Sequence, residues 1–153
     1  MPAPVPLEVI DLARRIAADH GVDPQLACAV IEQESAWNPW AVRYEPGFLS
    51  RYVAPLYTAG KLSATETYTR SMSWGLMQIM GQVAREHGFT ESSLAELCDP
   101  ATGIEFGCRV LAARIAHAKG NVVDALSAWN GGANPNYPAE VLARTRNYSS
   151  RRP

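Results

Sequence analysis

The stretch 23–39 constrains the fold and chemistry of this chain more than any other part of it. Its apolar positions repeat at helical spacing: Leu26, Ala27, Val30 and Ile31. Asp23-Pro24 is a typical helix start, because aspartate caps free backbone N–H groups and proline fits the first helical turn. Asn38-Pro39 limits the other end, since the residue before a proline avoids helical angles. The stretch therefore predicts a short, largely apolar helix with Glu34 in its last turn.

Glu34 is in an unusual place for a carboxylate. The C-terminal end of a helix carries partial negative charge, which disfavours an anion. A partly buried carboxyl group there holds its proton more tightly, as a general acid working near neutral pH must. Glu32 lies two residues away and points to the opposite side of the helix, so it cannot pair with Glu34. The alternative interpretation is a solvated residue at a helix end.

The composition fits one mainly α domain over residues 1–153. A chain of 153 residues with 47% hydrophobic content is long enough for one core. Helical spacing recurs over residues 7–20, 101–119, 121–129 and 138–148. It disappears between about residues 37 and 63, where aromatic residues are frequent: Trp40, Tyr44, Phe48, Tyr52 and Tyr57. We expect a long aromatic loop there, which offers either stacking faces for sugar rings or a second small apolar cluster.

Charge and hydropathy exclude several classes of protein. The formal net charge of −1 argues against a nucleic-acid-binding protein. The end of the chain, residues 144–153, is a basic tail that is either a solvated terminus or attracted to an anionic surface. No run approaches the roughly 20 apolar residues of a membrane span. Residues 1–6 lack the basic and apolar regions of a secretory signal, so we expect synthesis in the cytoplasm without one.

The sequence contains no pattern that predicts a metal or another cofactor. Its histidines are far apart: His20, His87 and His117. The three cysteines match no zinc-binding spacing. Cys28 and Cys108 lie on apolar helical faces and are expected to be buried. A disulfide between Cys98 and Cys108 is an open alternative.

Four separated motifs stand in one order along the chain. They are Glu34-Ser35-x-x-Asn38-Pro39, Gly75-Leu76-Met77-Gln78-Ile79, Asp99-Pro100 with Ile104, Gly107 and Leu111, and Ala128-Trp129-Asn130-Gly131-Gly132. As an ordered set they resemble the soluble lytic transglycosylase family, whose domain cleaves the glycan strands of peptidoglycan. The resemblance runs from about Asp23 to Tyr148. It implies a lysozyme-like single domain in which the aromatic loop, residues 44–68, is an insertion.

The resemblance implies roles for particular residues. Glu34 matches the family's single catalytic acid, which protonates the glycosidic oxygen. Met77 and Gln78 match the turn that lines the floor of the cleft, and Trp129 stands where the family usually has a tyrosine. Tyr148 matches a late tyrosine whose hydroxyl group reaches the catalytic acid. The full set expected to bind substrate is Ser35, Tyr44, Ser73, Met77, Gln78, Trp129, Asn130 and Tyr148.

The implied reaction needs one carboxyl group, whereas most glycosidases use two. The substrate's own N-acetyl group supports the positively charged centre. The 6-hydroxyl group of muramic acid then attacks and leaves a 1,6-anhydro end. Goose-type lysozymes resemble this family but add aspartates around the second motif. The corresponding residues of this chain are not acidic: Ser71, Ser73 and Met80.

Two alternatives stay open on the same fold. Glu45 or Glu66 could supply a second carboxylate, and the protein would then hydrolyse its substrate with water as a lysozyme-type muramidase. A non-catalytic peptidoglycan-binding module is the other alternative. The polar set Glu34, Gln78 and Asn130 argues against it, because the fold alone does not require these residues.

The segment Trp40–Pro46 indicates where such an enzyme would act. It resembles small bacteriophage and prophage enzymes that carry the same run directly after the acid. We therefore expect a monomeric endolysin or virion-associated enzyme whose partner is the peptidoglycan strand. Such an enzyme reaches the periplasmic or extracellular wall through a lysis pore or with the virion.

Overall fold

The computed structural model describes residues 5–149 and is mainly α-helical, which confirms the predicted fold class. Its helices are α1 (Leu7–Asp19), α2 (Pro24–Ser35), α3 (Pro46–Phe48), α4 (Ala54–Thr58), α5 (Ala64–Arg70), α6 (Gly81–Glu86), α7 (Pro100–His117), α8 (Val122–Trp129) and α9 (Tyr137–Arg144). Its strands are β1 (Val42–Tyr44), β2 (Met72–Trp74) and β3 (Ile79–Met80). A π-helical turn spans Leu49–Val53, and 3-10 helices span Leu94–Cys98 and Thr145–Tyr148. The predictions on residues 1–4 and 150–153, which include part of the basic tail, lie outside the described residues.

Helix α2 forms the centre of the core, as its apolar sequence predicts. Six consecutive residues, 26–31, are buried, and the helix packs against α1, α9 and the last 3-10 helix. The side chain of Asp23 accepts a hydrogen bond from the N–H of Gln25 at 3.0 Å and so caps the helix. Left-handed backbone at Ala36 and Trp37 ends it directly after Ser35. Glu34 therefore lies in the last turn, as predicted.

Helix α7 packs against α1, α8 and the first 3-10 helix. Its buried positions include Ile104, Cys108 and Leu111, which the helical spacing predicted. Gly107 on this side contacts the side chain of Met77, which is fully buried. A Cβ atom added at Gly107 would lie 2.2 Å from Met77 Sδ and 2.8 Å from Met77 Cβ. The missing side chain at Gly107 thus makes the space in which Met77 sits.

A small antiparallel sheet was not predicted from the sequence. β1 pairs with β2 in the register Val42↔Trp74, and β2 pairs with β3 in the register Ser73↔Met80. Strands of two or three residues are too short to show the alternating pattern that identifies strands. The turn between β2 and β3 contains Gly75 at φ +71. The N–H of Gly75 donates to the carbonyl oxygen of Ala41 at 2.8 Å, so the turn is fastened next to β1.

The prediction of a long aromatic loop is wrong. Residues 42–70 instead form β1, α3, the π-helical turn, α4 and α5. Pro46 and Pro55 suggest breaks in a helix, but each lies in the first turn of one, where a proline is tolerated. The capping residue Ser63 starts α5 as predicted, because its side chain accepts from the N–H of Glu66 at 3.1 Å.

The described part of the chain tests the expectations about the cysteines and about a membrane-spanning helix. Cys28, Cys98 and Cys108 are buried and free, so the structure has no bridge between Cys98 and Cys108. The burial expected for Cys28 and Cys108 is confirmed. Across residues 5–149, every helix is too short or too polar to cross a bilayer.

The contact between Gly107 and Met77 can be tested with a pair of alanine variants. Gly107→Ala is expected to lower the free energy of unfolding by about 1–3 kcal/mol, because the new methyl group overlaps the Met77 side chain. The control is Gly47→Ala in α3, where a Cβ atom meets nothing within 4 Å. That change is expected to be neutral or to stabilise by up to about 1 kcal/mol. Urea denaturation measures both, and equal effects would contradict the packing described.

Candidate active site

A cleft of about 610 Å³ opens beside the end of α2, within the range of ligand-binding clefts. Glu34 lines it together with residues from two sides. The helical side, from α7, α8 and the loop after α8, contributes Val110, Arg114, Ala128, Trp129 and Asn130. The sheet side, formed by β1 to β3 with the turns beside them, α3 and the π-helical turn, contributes Arg43, Glu45, Phe48, Tyr52, Ser73 and Gln78.

The carboxyl group of Glu34 is held at one of its two oxygens. Oε1 accepts a hydrogen bond from Trp129 Nε1 at 3.1 Å and a short one from the hydroxyl group of Tyr137. Oε2 has no hydrogen-bond partner within residues 5–149. Burial raises the pKa of Glu34, while the bonds from Tyr137 and Trp129 and the charge of Arg43 oppose this rise. The group is thus biased toward its protonated form and keeps one oxygen for a ligand.

Tyr137 is the residue of the site that sequence reasoning missed. It begins α9, and only 4% of its surface is exposed. Burial and the neighbouring Glu34 carboxyl group raise the pKa of Tyr137, so it stays protonated and donates. The available signal was an aromatic residue directly before Pro138, which identifies a helix start but not a contact with Glu34.

The expectation that the Tyr148 hydroxyl group reaches the catalytic acid is wrong. That hydroxyl group donates to Glu32 Oε2 at 2.6 Å and accepts from Trp37 Nε1 at 2.8 Å. Glu32 points away from Glu34, as predicted, and the final 3-10 helix carries Tyr148 to the Glu32 side of α2. Tyr148 is buried there and does not line the cleft.

Ser73 and Gln78 line the cleft and are bonded to each other. The hydroxyl group of Ser73 donates to Gln78 Oε1 at 2.8 Å. Gln78 Nε2 donates to the carbonyl oxygens of Ala41 at 2.9 Å and Gly75 at 3.0 Å. These bonds use most of the amide's capacity, so Gln78 shapes the floor of the cleft by fastening the turn to β1.

Trp129 and Asn130 end α8 at the cleft. Trp129 presents both its ring and the N–H that binds Glu34. The side chain of Asn130 points toward the following loop. In the amide orientation that satisfies both of its polar atoms, its oxygen accepts a hydrogen bond from the N–H of Asn134 at 2.7 Å. With Glu34, Ser73 and Gln78, they complete the five predicted site residues that the fold brings together.

Three other predicted site residues lie outside the cleft. Met77 is fully buried against Gly107, so it supports the floor from below. The hydroxyl group of Ser35 donates to the carbonyl oxygen of Leu76 at 2.8 Å and so joins the end of α2 to the same turn. Tyr44 packs on the ring of Tyr68, with 6.0 Å between ring centroids, and is 40% exposed.

The two candidate second carboxylates have different positions. Glu66 accepts from Arg70 Nε at 2.8 Å and Arg85 Nε at 2.7 Å, outside the cleft, and these charges hold its pKa below the usual range. Glu45 lines the cleft and pairs with Arg43, with 2.6 Å between Glu45 Oε1 and Arg43 Nε.

No three metal-ligating side chains come together in the part of the chain that the structure describes.

Comparison with known proteins gives the family of this chain. The family model described as "Transglycosylase SLT domain" matches residues 11–150. The chain therefore belongs to the soluble lytic transglycosylase family. It is also similar to "Membrane-bound lytic murein transglycosylase C" of Edwardsiella ictaluri (strain 93-146), with 27% identity over 137 residues. That similarity covers 81% of this chain and 31% of the relative, so the chain spans less than a third of that protein's length. No solved structure matches the chain.

The pairing of each tyrosine with its glutamate can be tested by titration. Tyr137→Phe removes a hydrogen bond that lowers the pKa of Glu34, so this pKa is expected to rise further while that of Glu32 stays in place. Tyr148→Phe is the matched control, in which the pKa of Glu32 rises and that of Glu34 does not change. Carboxyl ¹³C NMR across pH measures both. The opposite assignment of the two shifts would contradict the geometry.

Proposed function

We propose that the protein is a peptidoglycan lytic transglycosylase in which Glu34 acts as both acid and base. The observation that carries the proposal is the state of Glu34: a largely buried carboxyl group in an open cleft, held at Oε1, with no donor to Oε2 among residues 5–149. Family membership and the printed name of the relative support the same reaction class.

In the first step, protonated Glu34 donates its proton to the glycosidic oxygen between MurNAc and GlcNAc. The bond from this oxygen to C1 of MurNAc breaks, and GlcNAc leaves with a free 4-hydroxyl group. The carbonyl oxygen of the MurNAc N-acetyl group supports the positive charge at C1, as in other substrate-assisted glycosidases. Burial favours this step because it raises the pKa of Glu34 and so favours the neutral form that donates the proton.

In the second step, the Glu34 carboxylate takes the proton of the MurNAc 6-hydroxyl group. The O6 atom forms a bond to C1, which gives a 1,6-anhydroMurNAc end and regenerates protonated Glu34. No water is consumed. Tyr137 and Trp129 stabilise the carboxylate between the two steps, because both already point at Oε1 before the charge forms.

The lining of the cleft supports a glycan as the substrate. Phe48 and Tyr52 on the sheet side, 4.9 Å apart between ring centroids, and Trp129 on the helical side offer apolar faces to sugar rings. The hydroxyl oxygen of Ser73, the remaining acceptor site of Gln78 Oε1 and the amide of Asn130 can bond to sugar hydroxyl and N-acetyl groups. This combination of a few polar groups with aromatic surface is typical of small-molecule and saccharide sites.

A muramidase is the second candidate, and the position of Glu45 favours it. Glu45 shares the cleft with Glu34 and could activate a water molecule. Its carboxylate is already paired with Arg43, however. To accept a proton from water, Glu45 would have to give up the attraction of this ion pair. The transglycosylase is therefore the leading proposal.

We further propose that the enzyme is a monomer encoded by a phage or prophage, and that it reaches the wall through a lysis pore. The support for this finer role is the resemblance of residues 40–46 to small phage enzymes. In the structure this segment contains β1, and Arg43 and Glu45 from it line the cleft.

The reaction is tested by digesting purified peptidoglycan and weighing the soluble products before reduction. The wild-type protein is expected to release fragments with 1,6-anhydroMurNAc ends, lighter by one water than hydrolysed fragments. Glu34→Gln is expected to lower the rate by about 100-fold or more, because it removes the transferable proton. Glu8→Gln makes the same chemical change at the exposed start of α1 and is expected to keep full activity.

Two results would change the assignment. Products heavier by one water, together with an equally inactive Glu45→Gln variant, would identify a muramidase. Full activity of a folded Glu34→Gln variant would refute both candidates and leave a different acid to be found.

The delivery proposal is tested by expressing the chain inside bacteria with and without a phage pore protein. Lysis is expected only when both are present, because the cytoplasmic membrane separates the enzyme from its substrate. Gel filtration with light scattering of the same protein is expected to give a monomer mass. Lysis without the pore protein would contradict the proposed route.

A further inference from the structure

Arg114 is a cation of the cleft that the proposed reaction does not use. It lies on α7, one turn after Val110, and both residues line the helical side. Within residues 5–149, Arg114 makes no ion pair and no side-chain hydrogen bond. Its Nε atom is buried and has no hydrogen-bond partner in the part of the chain that the structure describes. Leaving a buried donor without an acceptor costs free energy, so such an atom in a cleft calls for a ligand as its explanation.

Among the charged side chains of the cleft, Arg114 is the one whose charge is not balanced by a neighbour of opposite sign. The lining contains two arginines and two glutamates: Arg43, Arg114, Glu34 and Glu45. Arg43 is neutralised by its ion pair with Glu45. Glu34 carries no charge in the protonated form that starts the reaction. The cleft that is ready for catalysis therefore has one net positive charge, and Arg114 carries it.

We propose that Arg114 binds a carboxylate group of the peptidoglycan substrate and makes the enzyme select anionic glycans over neutral ones. The guanidinium group suits this role, because its planar donors match the two oxygens of a carboxylate. The inference rests on the proposed function, since peptidoglycan carries carboxylates and a polymer of GlcNAc alone does not.

Two parts of the substrate present this chemistry. The stem peptide carries carboxylates at some distance from the sugar, and the lactyl group of MurNAc becomes a free carboxylate when the peptide is removed. Arg114 acts on binding rather than on proton transfer in either case, since Glu34 already has its proton and its donors. Its loss is therefore expected to raise KM and to leave kcat nearly unchanged.

The experiment measures binding by calorimetry with the inactive Glu34→Gln protein, so that the ligand stays intact. Three soluble ligands are compared: glycan strands with stem peptides, the same strands after an amidase has removed the peptides, and a neutral GlcNAc oligomer. Adding Arg114→Gln is expected to weaken binding of stem-bearing strands by about tenfold or more, because a charge-assisted bond in the cleft is lost. Binding of the neutral oligomer is expected to stay within about twofold.

The remaining arms identify the source of the carboxylate. Loss on stem-bearing strands alone assigns the stem peptide. Loss on stripped strands alone assigns the lactyl carboxylate, and loss on both shows that Arg114 accepts a carboxylate from either source. Arg114→Lys, which keeps the charge but not the forked donors, is expected to recover part of the affinity. Lys119→Gln, in the exposed turn that follows the same helix, is the control for net charge and is expected to bind as the parent does.

Equal weakening for all three ligands, or none, would overturn the inference. A structural effect of the change is recognised separately, because it would lower the melting temperature and affect the neutral oligomer too. Failure of the proposed function has its own signature, which is the absence of Glu34-dependent products from wild-type digestion.

Discussion

The burial of one carboxyl group at the end of α2 is the constraint on which the rest of the site depends. Burial raises the pKa of this carboxyl group, and the rise persists although two donors bind Oε1 and the charge of Arg43 opposes it. The donors come from two different helices: α9 packs against α2, and α8 packs against α9 and α7. The catalytic geometry therefore depends on how both helices are placed beside the end of α2. The chemistry of Glu34 is therefore coupled directly to the tertiary packing around it.

A second set of contacts holds α9 in the place where Tyr137 can reach Glu34. Arg144, at the end of α9, donates to Gln33 at 2.7 Å and to Glu32 at 2.7 Å. Tyr148 adds its bond to Glu32 from the next turn. The two carboxyl groups of α2 are thus used differently: Glu32, whose pKa these donors lower, fastens the C-terminal helices, and Glu34 faces the cleft.

Much of the helical framework could be predicted, because its signals are local. The cap at Asp23, the apolar run of α2 and the buried spacing of α7 each involve residues within a few turns of one another. The stretch 42–70 could not be predicted in the same way. Its prolines lie in first helical turns, and its strand has three residues, so the usual signals of helix and strand are absent or inverted.

The sequence by itself determined the helix that carries Glu34, its unusual position in the last turn, and the ordered motifs of the family. Only the tertiary structure decided which tyrosine serves which glutamate. Tyr137 and Tyr148 are separated from α2 by more than 100 residues and lie 11 residues apart on the same stretch of chain. The direction in which each ring points depends on how α9 and the final 3-10 helix pack, and packing between distant segments leaves no periodic pattern in the sequence. For the same reason the sequence did not identify Arg114 as a residue of the cleft, because its place there depends on the sheet side that faces α7.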